Sequence, residues 1–314
     1  MKVLVAGATG ALGKQLIPKL VARGHEVVGT TRTESKREAI LDLGATPAVV
    51  EALDAEQVAR AVAEAEPDVI VHELTALSVD FDLRHFDRTF AETNRLRTEA
   101  TDHLLAAGRA VGVKRFVAQS YAGWPAERTG GPVKTEDDPL DHSPPESVRS
   151  TLEAILYLEG AVTGADWTEG VVLRYGGFYG PGTSFAPEGG EMTEAVRKRK
   201  FPVVGNGAGV WSFIHIEDAA DATVEAIEHG RRGIYNIVDD EPAPVSVWLP
   251  AVAKAVGARA PRHVPRWLGR MLAGEAATVM MTEVRGASNA KAKRELGWQP
   301  KHRSWRDGFT QVAA

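Results

Sequence analysis

Short apolar runs recur through the first half of the chain, spaced so that a helix fits between each pair. Residues 3–6, 26–29, 48–50, 68–72, 115–120 and 170–174 are nearly continuously apolar rather than alternating, as strands covered on both faces are. Between them lie stretches with helical apolar spacing, such as 13–23 and 96–111, the latter stopped by Gly112. This alternation predicts an α/β protein with a doubly wound parallel sheet (Rossmann) and right-handed crossovers.

The texture changes at Tyr179. Glycine and proline become dense in GPGTSFAPEGG, followed by a helix, a turn at VGNGAG and another strand–helix unit, WSFIHIEDAADATVEAIEHG. RGIYNIVDD then returns as a sheet strand. The expected division is a nucleotide-binding part, 1–178 plus 212–240, and a smaller discontinuous C-terminal substrate domain, 179–211 plus 241–314. Segment 127–148, rich in proline and charge, predicts a long surface loop bordering a site.

Composition narrows the chemistry. The chain has 314 residues, 44% hydrophobic and 25% charged, with net charge −5, so no bulk electrostatic attraction to nucleic acid or an anionic membrane is expected. It contains no cysteine, which removes disulfides, thiolate nucleophiles and thiolate metal sites. No secretory leader or spanning segment is apparent in the sequence, and the expectation is a soluble cytoplasmic protein. His215-Ile216-Glu217-Asp218 reads as a strand running into an acidic N-cap for a helix starting near Ala219, not as a metal site.

The first strand runs directly into Gly7-Ala8-Thr9-Gly10-Ala11-Leu12-Gly13 and then a helix. Glycine spacing alone is weak, but between strand and helix it meets the needs of a pyrophosphate. Gly7 permits the tight turn, Gly10 the approach of backbone to phosphate, and Gly13 the packing of helix on strand. Free amides at the helix start, from Thr9 to Leu12, face the anion. The second strand ends in Thr30-Thr31-Arg32-Thr33, where an NAD site places an acid for the ribose hydroxyls. Arg32, following Thr31, instead suits a 2′-phosphate, so the expected cofactor is NADP (NADPH).

Further motifs carry a resemblance over nearly the whole chain. Asp54 follows the third strand and Val69-Ile70-Val71-His72 forms the fourth. Asn94 with Thr98, Leu173-Arg174 leading to Phe178-Tyr179-Gly180-Pro181-Gly182, Phe213-Ile214-His215, and Ser288-Asn289-Ala290-Lys291 with Leu296-Gly297-Trp298 complete the pattern. The sequence resembles an extended short-chain dehydrogenase/reductase of the NAD-dependent epimerase/dehydratase family. The resemblance implies that Leu53 and Asp54 flank the adenine and that His72 to Thr75 approach the ribose and nicotinamide, with Leu74 bulkier than usual there. Asn94 and Tyr175 are placed at the cofactor by the same resemblance, Arg285 near a sugar-nucleotide's phosphates. A homodimer through residues 96–111 and 151–163 is also implied.

The catalytic set departs from the family. Its members use a serine or threonine after the fifth strand, and a tyrosine followed four residues later by a lysine that lowers the phenol's pKa. Here Thr151 and Ile155 stand in those two positions, and no tyrosine in the chain is followed four residues on by lysine. Tyr121 and Ser120 are the candidate catalytic residues, with Tyr175 and His142 as possible helpers. A phenol without a cationic neighbour is an acid near ~10, as carbonyl reduction requires. The expectation is an NADP(H)-dependent oxidoreductase acting on a carbonyl or related small organic substrate by nonstandard catalysis. The alternatives are a non-catalytic NADP(H)-binding regulatory protein and a nucleotide-sugar epimerase or dehydratase.

Overall fold

The computed structural model describes residues 1–77 and 86–311. Seven parallel strands form the central sheet. In chain order they are β1 (Lys2–Ala6), β2 (Glu26–Thr31), β3 (Thr46–Val49), β4 (Val69–His72), β5 (Arg115–Tyr121), then Glu169–Tyr175 and Gly233–Ile237. Across the sheet the order is β3, β2, β1, β4, β5, 169–175, 233–237. The direction of winding reverses beside β1, and ligand crevices in such sheets open at that switch, outside the carboxyl ends of the strands.

The helices of the first half are α1 (Ala11–Ala22), α2 (Arg37–Asp42), α3 (Ala55–Ala65), α4 (Phe86–Arg95), α5 (Thr101–Val111) and α6 (Arg149–Gly164). Those that follow are α7 (Glu191–Arg197), α8 (Ile216–His229), α9 (Val245–Ala255) and α10 (Arg266–Thr282). One face of the sheet packs Val5, Val71 and Val117 against Leu16 and Leu20 of α1 and Val224 and Ile227 of α8. The other packs Leu4, Ile70 and Phe116 against Val58 and Val62 of α3, Leu104 of α5 and Leu158 of α6. Both faces are therefore dry, which is why the strands read as unbroken apolar runs. A separate aromatic cluster, with Phe185, Phe213, Trp248 and Trp305, forms the core of the later segments.

Three departures from the sequence reading have physical causes. The helix expected over 96–111 is present as α5 from Thr101 to Val111, but its first five residues, Leu96–Ala100, form a π-helical turn that joins it to α4; periodicity does not register one extra residue per turn. Helix α8 begins at Ile216, capped by His215, whose Nδ1 accepts the amide of Glu217. Asp218 lies inside its first turn because its carboxylate accepts the amides of Lys301 and His302 (2.9 and 2.8 Å). Segment 127–148 is tied down: Val133–Lys134 pairs in parallel with Gly286–Ala287, and Arg128 bonds both Asp141 and Glu283. No helix among the described residues is long and apolar enough to cross a membrane.

Candidate active site

The glycine turn connects β1 to α1 at the carboxyl edge of the sheet. Gly7 has φ +102°, and a Cβ there would lie 2.8 Å from the carbonyl oxygen of Glu73. A Cβ on Gly13 would meet the carbonyl oxygens of Gly7 and Ala8 at 2.5 and 2.6 Å. Gly10 is exposed and caps α1 with no side-chain hydrogen bond, leaving the amides of Ala11, Leu12 and Gly13 without helical acceptors. Turn and helix end together form a bare anion cradle, exposed at Gly10 where a Cβ would lie 3.2 Å from the carbonyl oxygen of Gly7, and they fit a dinucleotide pyrophosphate.

The flanking residues have mixed fates. Thr31 is buried, and its Oγ1 accepts the amide of Thr33. Arg32 is exposed and paired with Glu92 of α4 at 2.5 Å, so a phosphate reaching it must displace that carboxylate. Asp54 is the N-cap of α3: Oδ1 accepts the amides of Glu56 and Gln57, and Oδ2 the side-chain amide of Gln57. These bonds hold its carboxyl below the usual range. Leu53 and Leu74 pack around Ala52, Leu96 and Ala100, which turns Leu74 into an apolar cluster.

His72 points away from the crevice. Its Nε2 faces the carbonyl of Leu96 and Oγ1 of Thr101, both at 3.1 Å, while Nδ1 accepts the amide of Leu74. The carbonyl can only accept, so Nε2 carries the proton and the ring is neutral; burial holds its pKa down at about 4. The imidazole therefore anchors the π-turn. Glu73 is buried beside the glycine turn with Oε2 unpartnered, and burial raises its carboxyl well above the usual range. Tyr175, 1% exposed, bonds Thr223 at 2.6 Å and approaches Glu73 at 3.4 Å. Its phenol belongs to the interior beneath the turn. Asn94 donates to Thr151 Oγ1 at 3.1 Å, and its own Oδ1 is buried without a partner.

At the end of β5 the two candidate catalytic residues diverge. Ser120 is buried and donates to Glu159 of α6 at 2.7 Å. Glu159 is itself clamped by Arg174 Nε and Nη2 at 2.7 and 2.6 Å. The serine belongs to a buried ion-pair network, not to a substrate pocket. Tyr121 does line a pocket, together with Gly123, Trp211, Met280, Val284 and Arg285. A Cβ on Gly123 would fall 2.4 Å from the Tyr121 ring, so the glycine leaves space for the phenol. Burial pushes that phenol up to about 12, and it stays protonated.

Nothing on α6 replaces the missing pair. Thr151 and Ile155 are both buried, at 1%. His142 is exposed on the loop. Sequence reasoning missed two features. One is the Glu159–Arg174 pair. The other is Arg97 of the π-turn, a buried guanidinium whose charge acts on both Tyr121 and Glu159. Arg97 could have been noticed as a basic residue at a helix phase otherwise filled by Leu96 and Ala100.

Fold and glycine turn together define a dinucleotide-binding protein of the Rossmann class. The model of the NAD dependent epimerase/dehydratase family matches residues 3–238, and the chain belongs to that family, in its extended short-chain dehydrogenase/reductase form. A Streptomyces protein named 3-diazoavenalumate denitrifying reductase is 45% identical over 310 residues, 98% of this chain and 99% of its own. Among solved structures, Thermotoga maritima UDP-glucose 4-epimerase with UDP-glucose superposes with TM-score 0.78 at 22% identity, covering 100% of this chain and 97% of that one. A human epimerase family protein with NADPH gives TM-score 0.76 at 23% identity, covering 100% and 99%. At that identity the two structures speak to the fold alone.

Proposed function

We propose that the protein is an NADPH-dependent reductase that removes dinitrogen from a diazo-bearing organic acid of the arenediazonium type. The bound dinucleotide would supply the hydride. The glycine-turn amides would hold its pyrophosphate, and Arg32, released from Glu92, a 2′-phosphate. The observation that carries the reading is that, among the described residues, no side-chain proton relay stands at the pocket. Thr151 and Ile155 occupy the relay positions, Ser120 is bonded to Glu159, and Tyr121, partly buried at the pocket, has no hydrogen-bonded side chain among the described residues to reprotonate it.

Carbonyl reduction needs a proton for the developing alkoxide. An arenediazonium ion needs none: hydride adds, the carbon–nitrogen bond breaks, and ArN2⁺ plus H⁻ gives ArH plus N2. Charge and atoms balance without an acid. The 45% identical relative, named for a diazo substrate and for loss of nitrogen, supports the same class. Trp211, Met280 and Val284 offer an apolar wall suited to an aromatic ring.

The test is anaerobic incubation with NADPH deuterated at the transferable position and a 15N-labelled arenediazonium benzoate, against a no-enzyme control. One labelled N2, one NADP⁺ and one ring deuterium per turnover are expected. Turnover of ketones without turnover of the diazonium acid would refute the reading. It would favour a second one, carbonyl reduction with Tyr121 as a single-use acid, which rests on the position of that phenol in the pocket. Tight NADPH binding with neither activity would leave a non-catalytic binding protein.

A further inference from the structure

The first half of α10 turns apolar side chains toward water. Gly274, at φ +87° and ψ 176°, breaks the helix. Residues 276–279 beyond the break are buried, whereas Trp267 and Met271 before it are 68% and 63% exposed. Helical phase explains the contrast. Gly269 faces the protein, since a Cβ there would lie 2.5 Å from Cγ1 of Val204. At about 100° per residue, Trp267 and Met271 each fall about 160° from Gly269, on the outer side. Arg266 and Arg270 lie between, on one flank of the same helix, and both are exposed.

The surroundings of this helix are basic. No Asp or Glu occurs from 242 to 274, a stretch that holds Lys254, Arg259, Arg262, Arg266 and Arg270. A second basic run, Arg197-Lys198-Arg199-Lys200 at the end of α7, is joined to it. Arg199 Nε donates to the carbonyl of Ala260 at 3.0 Å, and the amide of Val203 to the carbonyl of Arg262 at 2.8 Å. Residues 203–204 and 263–264 also pair in parallel, so the two runs adjoin. The acids nearby do not neutralise them. Glu194 serves both Arg197 and Lys198, Glu275 serves Arg270, and Glu283 is shared between Arg266 and Arg128. Lys200, Arg259 and Arg262 are exposed and have no ion pair among the described residues. A chain of net charge −5 thus concentrates positive charge around two exposed apolar side chains.

We propose that this surface docks on an anionic lipid bilayer. Trp267 and Met271 enter the boundary between headgroups and acyl chains, and the flanking cations meet lipid phosphates. Interfacial binding draws on the same two contributions, buried apolar area and attraction to anionic lipid, and an indole sits at headgroup depth. A second copy of the chain is disfavoured, because two such faces would oppose like charges. An acidic protein fits less well, since protein interfaces have an apolar centre depleted of charge. Here Arg266 and Arg270 directly precede Trp267 and Met271, an interleaving that a bilayer accommodates because arginine extends its charged head to the phosphates. The attachment is peripheral, and the reaction proposed above plays no part in it.

The experiment sediments the full chain with vesicles of phosphatidylcholine alone or with about 30% phosphatidylglycerol, at low salt and at about 0.15 M. Anionic vesicles should bind at least about tenfold more tightly than neutral ones, and the affinity should fall as salt rises. R259Q/R262Q and, separately, W267S/M271S should each weaken binding about tenfold or more. Their melting temperatures should match the wild type, because all four side chains are exposed. If one double variant does not fold, the other carries the same test. Lipid brominated on its acyl chains should quench the tryptophan emission of the wild type, and W267F should lose that quenching while still sedimenting. The proposal is overturned if anionic vesicles bind no better than neutral ones, if either double variant binds as the wild type does, or if the quenching persists in W267F. Polyglutamate bound in preference to vesicles through the same four residues would assign the face to an acidic protein. A dimer lost in W267S/M271S would assign it to a second copy. Either result overturns the lipid assignment.

Discussion

Substituting Glu159 by Gln tests whether the network behind the pocket is an ion pair held against a desolvation penalty. Glu159 and Arg174 have side chains only 4% and 6% exposed, and the carboxylate accepts three bonds, from Ser120 and twice from Arg174. Glutamine keeps the shape but removes the charge and turns an amide donor toward a donor. Breaking a buried pair by removing one partner costs about 3–5 kcal/mol, chiefly through the charge left behind. Here Arg97 and Arg174 would both be left. At about 2–4 °C per kcal/mol, the melting temperature should fall by roughly 6–20 °C, a range measurable by scanning fluorimetry and checked by urea unfolding. Adding R97M to E159Q removes one of the two stranded charges and should recover at least about 1 kcal/mol, a coupling that a double-mutant cycle reads directly. An E159Q protein within about 1 kcal/mol of wild type, or a cycle with no coupling, would refute the electrostatic account of this interior.

Other consequences follow from the same geometry. A catalytic acid is worth roughly 10²–10⁴-fold; if hydride transfer alone suffices, Y121F should change diazonium turnover by less than about threefold, and a larger loss in the rate step would restore Tyr121 as a proton donor. Freeing Arg32 by E92Q should raise the NADPH-to-NADH affinity ratio about two- to fivefold, the scale of an exposed ion pair; an unchanged ratio in calorimetric titrations would remove Arg32 from 2′-phosphate recognition. His72 has a folded pKa of about 4 against 6.5 unfolded, so between those values the unfolded chain binds more protons. Stability should be fully present above pH 6.5 and fall toward pH 4, by up to about 3 kcal/mol from this group. Denaturation of H72Q across that window should show a flatter acid limb, and an identical limb would refute the assignment.

What the sequence disclosed was local. The strand–glycine–helix unit is legible because an apolar run, a positive-φ glycine and a helix packed tightly on its strand occur within thirteen residues. The parallel sheet is legible for a related reason, since burial on both faces erases alternation. Residue roles that depend on distant partners were not legible. Ser120 is taken by Glu159, His72 by the π-turn, Arg32 by Glu92 and Asp54 by its own helix. Each is a polar residue whose plausible ligand role in the sequence competes with a protein partner that only the fold supplies. Arg97 escaped for the opposite reason: a basic residue on a helix reads as exposed, and only the packing of α6 against the π-turn encloses it.

The seam between α8 and residues 298–305 bears on the order in which the fold closes during synthesis. Asp218, wholly enclosed, is satisfied by the amides of Lys301 and His302, and Trp298 donates to the carbonyl of the same residue. Asp239, just past the seventh strand, accepts the amide of Trp305. Until residues 298–305 leave the ribosome, both carboxylates lie open, and the aromatic cluster around Trp248 lacks Trp305. The nucleotide-binding half can collapse early, but α8 and the edge strand 233–237 are sealed only by residues 298–305. A stalled or clipped product would therefore expose buried acids and be marked for proteolysis.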